Sequence, residues 1–223
     1  MNSKHFRWVF LAIAVALYFR DYSKTVTIGA SLSWSNGEYY FAGGTEPRAI
    51  ADAIGIIVAY AVFLYFPSPK FGKPMLSMFR RFVAFWFDFV LCMMAIAPLI
   101  GIVPTLIEWQ RTGNFAWSFV RYTPTPYDGW TTGVLTVLAF IFLALYFALP
   151  LVFRKPSPGT CIMGYQIVAD DGNPLPIRQA LSRTAYGFRA VCTGFLGPFA
   201  SRNSENGKFW LDERFATHAV KLD

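Results

Sequence analysis

The stretch Arg81-Phe-Val-Ala-Phe-Trp-Phe-Asp88-Phe-Val-Leu-Cys-Met-Met-Ala-Ile-Ala-Pro-Leu-Ile-Gly-Ile-Val103 decides the fold. From Phe82 to Val103 it carries one charge, Asp88. Its length suits a helix crossing a ~30 Å hydrocarbon core, which takes roughly 20 residues. Three more apolar runs lie around it, Trp8 to Phe19, Ala49 to Phe66 and Thr131 to Phe153. The last two reach spanning length. The first does so only if Phe6 and Tyr22 are drawn into the interface. It also has a signal peptide's basic start, Lys4 and Arg7, but its one A-x-A, Ala14-Val15-Ala16, lies too early for cleavage, so an uncleaved anchor fits better. The pattern predicts a mainly α-helical integral membrane protein with about four transmembrane helices.

Composition points the same way. Hydrophobic residues make up 55% of the 223 and charged residues 15%, against about 25% charged in a soluble domain. One soluble core could not bury that much apolar surface, and a disordered chain would not carry it. The net charge of +7 has a membrane explanation. With a cytoplasmic N-terminus and four crossings, fifteen of the 20 Lys and Arg fall in residues 1–7, 67–81 and 154–223, and five fall in 20–48 and 104–130. This is the positive-inside bias, and it predicts that both termini are cytoplasmic. No nucleic-acid partner is needed to explain the basic balance. The partner expected from composition is the lipid bilayer.

The polar inventory bounds the chemistry. Cys92, Cys161 and Cys192 stand far apart, and the only histidines are His5 and His218. Neither a zinc nor a haem spacing can be drawn from these, so no metal and no cofactor is expected. No nucleophile–base pair or phosphate loop appears, so catalysis is not expected.

Both outer loops and the tail carry short-range signals. Apolar residues alternate from Val26 to Trp34 and are followed by Asn36-Gly37 and Glu38-Tyr-Tyr-Phe41, a β-hairpin signature. Phe115, Trp117 and Phe119, with Trp109, Tyr122, Tyr127 and Trp130, resemble an aromatic interface belt. In the tail, Ile162 to Ala169 has strand character and ends at the turn cluster Asp170-Asp171-Gly172-Asn173. A candidate strand, Ala219-Val-Lys-Leu222, could pair with it. A helix is predicted from about Pro176 to Gly194. Ile177, Leu181, Phe188, Val191 and Cys192 fall on one side and Arg178, Arg183 and Arg189 on the other, as for a helix in the cytoplasmic headgroup plane.

Asp88 is the most informative residue. An acid at membrane depth costs about 2.5–3.5 kcal/mol on insertion scales, so a partner, a watery cavity or a proton must offset it. Arg81 precedes it by seven residues and points the same way, but about 10.5 Å along the axis. The partner expected is therefore an arginine of the tail helix, Arg178, Arg183 or Arg189. Two roles stay open: an ion pair tying the tail to this span, or a cation or proton site for transport.

Three blocks together resemble the RDD family of bacterial membrane proteins. Arg81-Phe-Val-Ala-Phe-Trp-Phe-Asp88 is similar to its Arg-x-x-Ala-x-x-x-Asp opening. Pro158-Gly-Thr-Cys-Ile-Met-Gly-Tyr-Gln-Ile-Val168, then Asp171-Gly172 and Gln179-Ala-Leu-Ser-Arg183, resembles its central segment, with Thr160 in place of the usual Lys. Trp210-Leu-Asp-Glu-Arg-Phe-Ala-Thr217 is similar to its closing block, whose Gly is absent here. Two registers place either Asp212 or Glu213 at the family's second Asp, and the Thr217 match points to Asp212. The resemblance covers about residues 79–223, with spans at about 82–103 and 131–153 and a cytoplasmic tail at 154–223. Residues 1–66 form an added two-span extension with a periplasmic hairpin loop. It implies a multipass protein of the bacterial cytoplasmic (inner) membrane, with a polar site at Arg81, Asp88, Arg183 and Asp212. Transport of an ion or small ligand through the buried carboxylate is one implied function, and an accessory or scaffold subunit of a larger complex is the rival. A homo-oligomer or a complex is expected, since two core spans make a thin pathway.

Overall fold

Apolar length and helix-terminating residues set the main elements. In the computed structural model, the described residues are 29–35, 38–65, 71–74, 78–192 and 209–222. Three helices among them are long and apolar enough to cross a membrane: α1 (Pro47–Tyr65), α2 (Met78–Thr112) and α3 (Asp128–Val152). They correspond to the second, third and fourth apolar runs. The first run, Trp8 to Phe19, lies outside the described residues. Helix α2 extends well past Val103, with Pro98 and Pro104 inside it, an accommodation spanning helices make more readily than soluble ones. It stops where Gly113 adopts φ +74° and its N–H returns to the Trp109 carbonyl at 2.8 Å, a left-handed C-cap.

The chain divides into two compact units. One comprises Ala16–Ala61 and Val90–Phe142. Its antiparallel sheet has the order β1-β2-β4, built from β1 (Gly29–Ser35), β2 (Glu38–Gly44) and β4 (Ser118–Arg121). The β1/β2 register closes on Ser35 opposite Glu38, the two-residue spacing expected of an Asn-Gly hairpin; the turn residues themselves lie outside the description. Strand β4 is a correction, because 115–119 reads as an interface belt yet Phe41 pairs with Arg121 and Gly44 with Ser118. Belt-type exposure persists at Trp109, Tyr122, Tyr127 and Trp130. A Cβ on Gly101 would overlap the Gly44 carbonyl, so glycine lets the hairpin approach α2.

The other unit comprises Met1–Val15, Val62–Phe89 and Leu143–Asp223. Its sheet has the order β3-β6-β5, from β3 (Phe71–Pro74), β6 (Thr217–Leu222) and β5 (Tyr165–Ala169). The tail strands pair as expected, from Tyr165 opposite Lys221 to Ala169 opposite Thr217. Strand β5 starts later than expected because Pro158–Ile162 forms a short helix, α4, and Gly164 turns the chain at φ +77°. Strand β3 and a second short helix, α6 (Trp210–Arg214), carry no periodic signal long enough to read.

Helix α5 (Ile177–Cys192) corrects the predicted wheel. Its buried residues are Ala180, Arg183, Thr184 and Ala190, whereas Ile177 and Cys192 are exposed. Arg178 and Arg189 stay on the surface, but Arg183 turns inward. Hydrophobicity alone assigns an arginine to the polar side, while a buried carboxylate reverses that preference.

Candidate functional site

Asp88 leaves α2 into the interior and is 2% exposed. Three donors close on it. The Ser157 hydroxyl donates to Oδ2 at 2.5 Å. The Gly159 N–H and the Tyr146 hydroxyl donate to Oδ1 at 2.8 and 3.2 Å. Ser157 precedes Pro158 and caps α4, accepting from the Thr160 N–H at 3.3 Å. Ser before Pro is a helix-start signature. Gly159 is required by space, since a Cβ there would overlap the Ala84 carbonyl and lie 2.8 Å from Asp88 Oδ2. The carboxylate therefore grips the first turn of α4. It does not pair with Arg178, Arg183 or Arg189, and that expectation is corrected. Hydroxyls and an amide satisfy its lone pairs in place of a cation.

The arginines converge on a different acid. Asp212 of α6 is 1% exposed. Arg81 Nη1 stands 2.5 Å from its Oδ2, and Arg183 Nη2 donates to its Oδ1 at 2.7 Å. Thr217 Oγ1 sits 3.3 Å from both Asp212 Oδ1 and Arg183 Nε. The Arg81 guanidinium also lies over the Phe209 ring, 4.1 Å from its centroid. Glu213, the alternative second acid, is exposed. The tail is thus tied to α2 by an ion pair whose cation is on the span and whose acid is on the tail. Three of the four residues singled out from sequence meet in one cluster. Asp88 stands in a second cluster with Ser157, Gly159 and Tyr146.

Both clusters border one cavity of about 540 Å³. Phe82, Phe85, Phe147 and Leu151 supply apolar wall, and Arg81, Asp88, Lys155, Ser157 and Arg183 supply polar groups. Burial holds the Lys155 ammonium below the usual lysine range and pushes the Tyr165 phenol, also on the wall, well above the usual tyrosine range. Sequence reading passes over Lys155 and Tyr146, which have no local signal. Ser157 and Gly159 could have been found from the Ser-Pro-Gly cap.

The other unit holds a second polar cluster. Asp128 is engaged by the Tyr39 hydroxyl, by Arg121 and by Thr125, whose N–H donates at 2.9 Å. Arg121 also reaches Glu108 at 3.5 Å, and Glu108 pairs with Arg111. Burial, then the hydrogen bond to Asp128, pushes the Tyr39 phenol up to about 12. The equal numbers of acids and bases in the outer loops were its only trace in the sequence. Among the described residues, no group of three His, Cys, Asp or Glu side chains could hold a metal ion.

No curated protein and no solved structure matches the chain. The model of the RDD family matches residues 76–204, more than half of the 223. That stretch contains Arg81, Asp88, the Ser157–Thr160 turn and Arg183, and it ends before Asp212. With this match and three helices of membrane-spanning length, the chain is a membrane protein that belongs to the RDD family.

Proposed function

We propose that the protein takes part in transport by binding a small ligand in the cavity beside Asp88. The observation that carries this reading is that Arg81 and Asp88, the two ends of the family's opening block, border the same cavity of about 540 Å³. That volume falls in the range of small-molecule sites, roughly 300–1,000 Å³. A small ligand is favoured over a bare cation. Both oxygens of Asp88 already accept from protein donors, and both oxygens of Asp212 are held by guanidinium groups. A cation would have to displace several of these contacts to be coordinated. In this reading Asp88 holds the Ser157–Thr160 wall in place. Arg81, Arg183 and Asp212, rather than Glu213, form the charged side. The inner-membrane location, cytoplasmic termini and an oligomeric pathway belong to the same proposal, supported by the positive-inside count.

Native mass spectrometry of protein purified from its own membranes tests it. The wild type should retain a small molecule, and Gly187→Leu, which projects into the cavity, should lose it. Equal retention by the variant, or none by either, defeats the reading.

A second reading, an accessory subunit of a larger complex, draws on the exposed rings of Trp34, Tyr122, Tyr127 and Trp130. It requires a stoichiometric partner to co-purify in mild detergent. A homogeneous homo-oligomer would count against it.

A further inference from the structure

We infer that the cavity takes an anionic phospholipid from the surrounding bilayer, its acyl chain against the phenylalanine wall and its phosphate against Lys155, Arg81 and Arg183. The inference rests on the ligand-binding reading above and names the ligand's class.

The way in is lateral. Phe79 and Phe82 both line the cavity, yet they are 74% and 44% exposed. Trp86, one turn further along α2, continues the same exposed strip. On a membrane-spanning helix such a strip faces lipid. The cavity mouth therefore opens where acyl chains are, and a polar solute would have to cross an aromatic rim. Amphiphiles meet no such barrier.

Charge selects among amphiphiles. The polar groups at the cavity include three cations, Arg81, Lys155 and Arg183, and one acid, Asp88. Asp212 answers the two guanidinium groups with a single negative charge. Asp88 is turned toward Ser157 and Gly159, so its charge is already engaged. Counting Asp212 with the cavity groups leaves a positive surplus of one. A phosphodiester monoanion matches that surplus and accepts charge-assisted hydrogen bonds from guanidinium and ammonium donors. Basic pockets between spanning helices are established headgroup sites in general. A zwitterionic lipid would bring its own cation into a site already rich in cations. A free phosphate would leave the apolar wall unfilled.

The test uses the full chain in a neutral maltoside detergent, with bound lipid read by native mass spectrometry. Phosphatidylglycerol should be retained at concentrations roughly tenfold below those needed for phosphatidylcholine of the same chains, the worth of about one charge-assisted hydrogen bond. Lys155→Gln should erase most of that preference. Gly187→Leu should expel both lipids. Glycerol phosphate, the headgroup without chains, should not compete. Equal retention of the two lipids, or competition by glycerol phosphate, overturns the inference and leaves ligand binding standing. Phosphatidylglycerol still bound to Gly187→Leu would place the lipid outside the cavity and also overturn it. If neither lipid is retained while another small molecule co-purifies from native membranes, the inference falls alone. If nothing is retained in either experiment, both fall. Should Lys155→Gln fail to fold, the lipid comparison on wild-type protein and Gly187→Leu decide the question.

Discussion

Arg81 and Asp88 leave the same side of α2, yet distant parts of the chain answer them separately. Arg81 meets Asp212 at 2.5 Å, and Asp88 accepts from Ser157, also at 2.5 Å. The two contacts fasten two pieces of the tail, α6 and the start of α4, to one face of one helix. They also make the acids unequal. Asp212 balances two buried cations, whereas Asp88 organises neutral donors.

That inequality gives a ranked mutant series. Asp212→Asn leaves Arg81 and Arg183 without their counter-charge, and removing one partner of a buried pair costs about 3–5 kcal/mol. Arg81→Gln should cost less, because Arg183 still neutralises Asp212. Glu213→Gln, at an exposed position, should change stability by less than about 0.5 kcal/mol. Thermal unfolding in detergent, followed by reaction of the buried Cys161 thiol, measures all three. A Glu213 variant as damaging as the Asp212 variant would contradict the assignment.

Space and hydrogen bonding at α4 should fail together. Gly159→Ala forces a methyl group against the Ala84 carbonyl and Asp88, an overpacking cost of about 1–3 kcal/mol. Ser157→Ala removes the 2.5 Å donor to Asp88 and the cap of α4, worth about 1.5–3 kcal/mol for a bond to a charged group. Both act on one contact, so the double variant should fall short of the sum. Additive losses by the same Cys161 assay would separate the two features.

Alkali should reveal the Tyr39–Asp128 contact. Burial, with the bond to Asp128, raises the Tyr39 phenol to about 12 in the folded protein, against about 10 when unfolded. For a group raised on folding, the stabilisation is fully present below pH 10 and is lost as pH climbs from 10 to 12. A tyrosinate difference titration between wild type and Tyr39→Phe should show one phenol ionising late. The variant should lose its stability advantage to no further extent over that window. A Tyr39 titration near pH 10 would refute this.

Cysteine labelling reads orientation. Cys192 is exposed, while Cys92 and Cys161 are buried. A membrane-impermeant maleimide should modify Cys192 only when the cytoplasmic face is open to it. Asn114→Cys, in the exposed turn after α2, should react only from the opposite face. Labelling of both from one side would overturn the topology.

How much could be read in advance differs from element to element. The hairpin was legible because alternation and an Asn-Gly pair are local facts, and its Ser35–Glu38 closure follows from them. The pairing of β5 with β6 was legible for the same reason, two short alternating runs with a turn cluster between. Strand β4 was misread because aromatic residues at alternate positions suit an interface belt and a sheet edge equally well. Arg183 was misplaced because a helical wheel weighs each side chain against water or lipid, not against a partner 29 residues away. The Ser157 donor to Asp88 is 69 residues distant, and no periodicity links them.

Apolar length, charge bias between loops and turn chemistry are properties of consecutive residues, so the chain by itself determined the spanning helices, the hairpin and the need to compensate an acid at Asp88. The identity of each compensating group was decided by tertiary structure alone. A buried charge is stabilised by whichever donors or counter-ions the folded chain brings within about 3 Å, and that meeting depends on the return of segments far apart in sequence. Asp88 thus received hydroxyls and an amide, and Asp212 received the arginines.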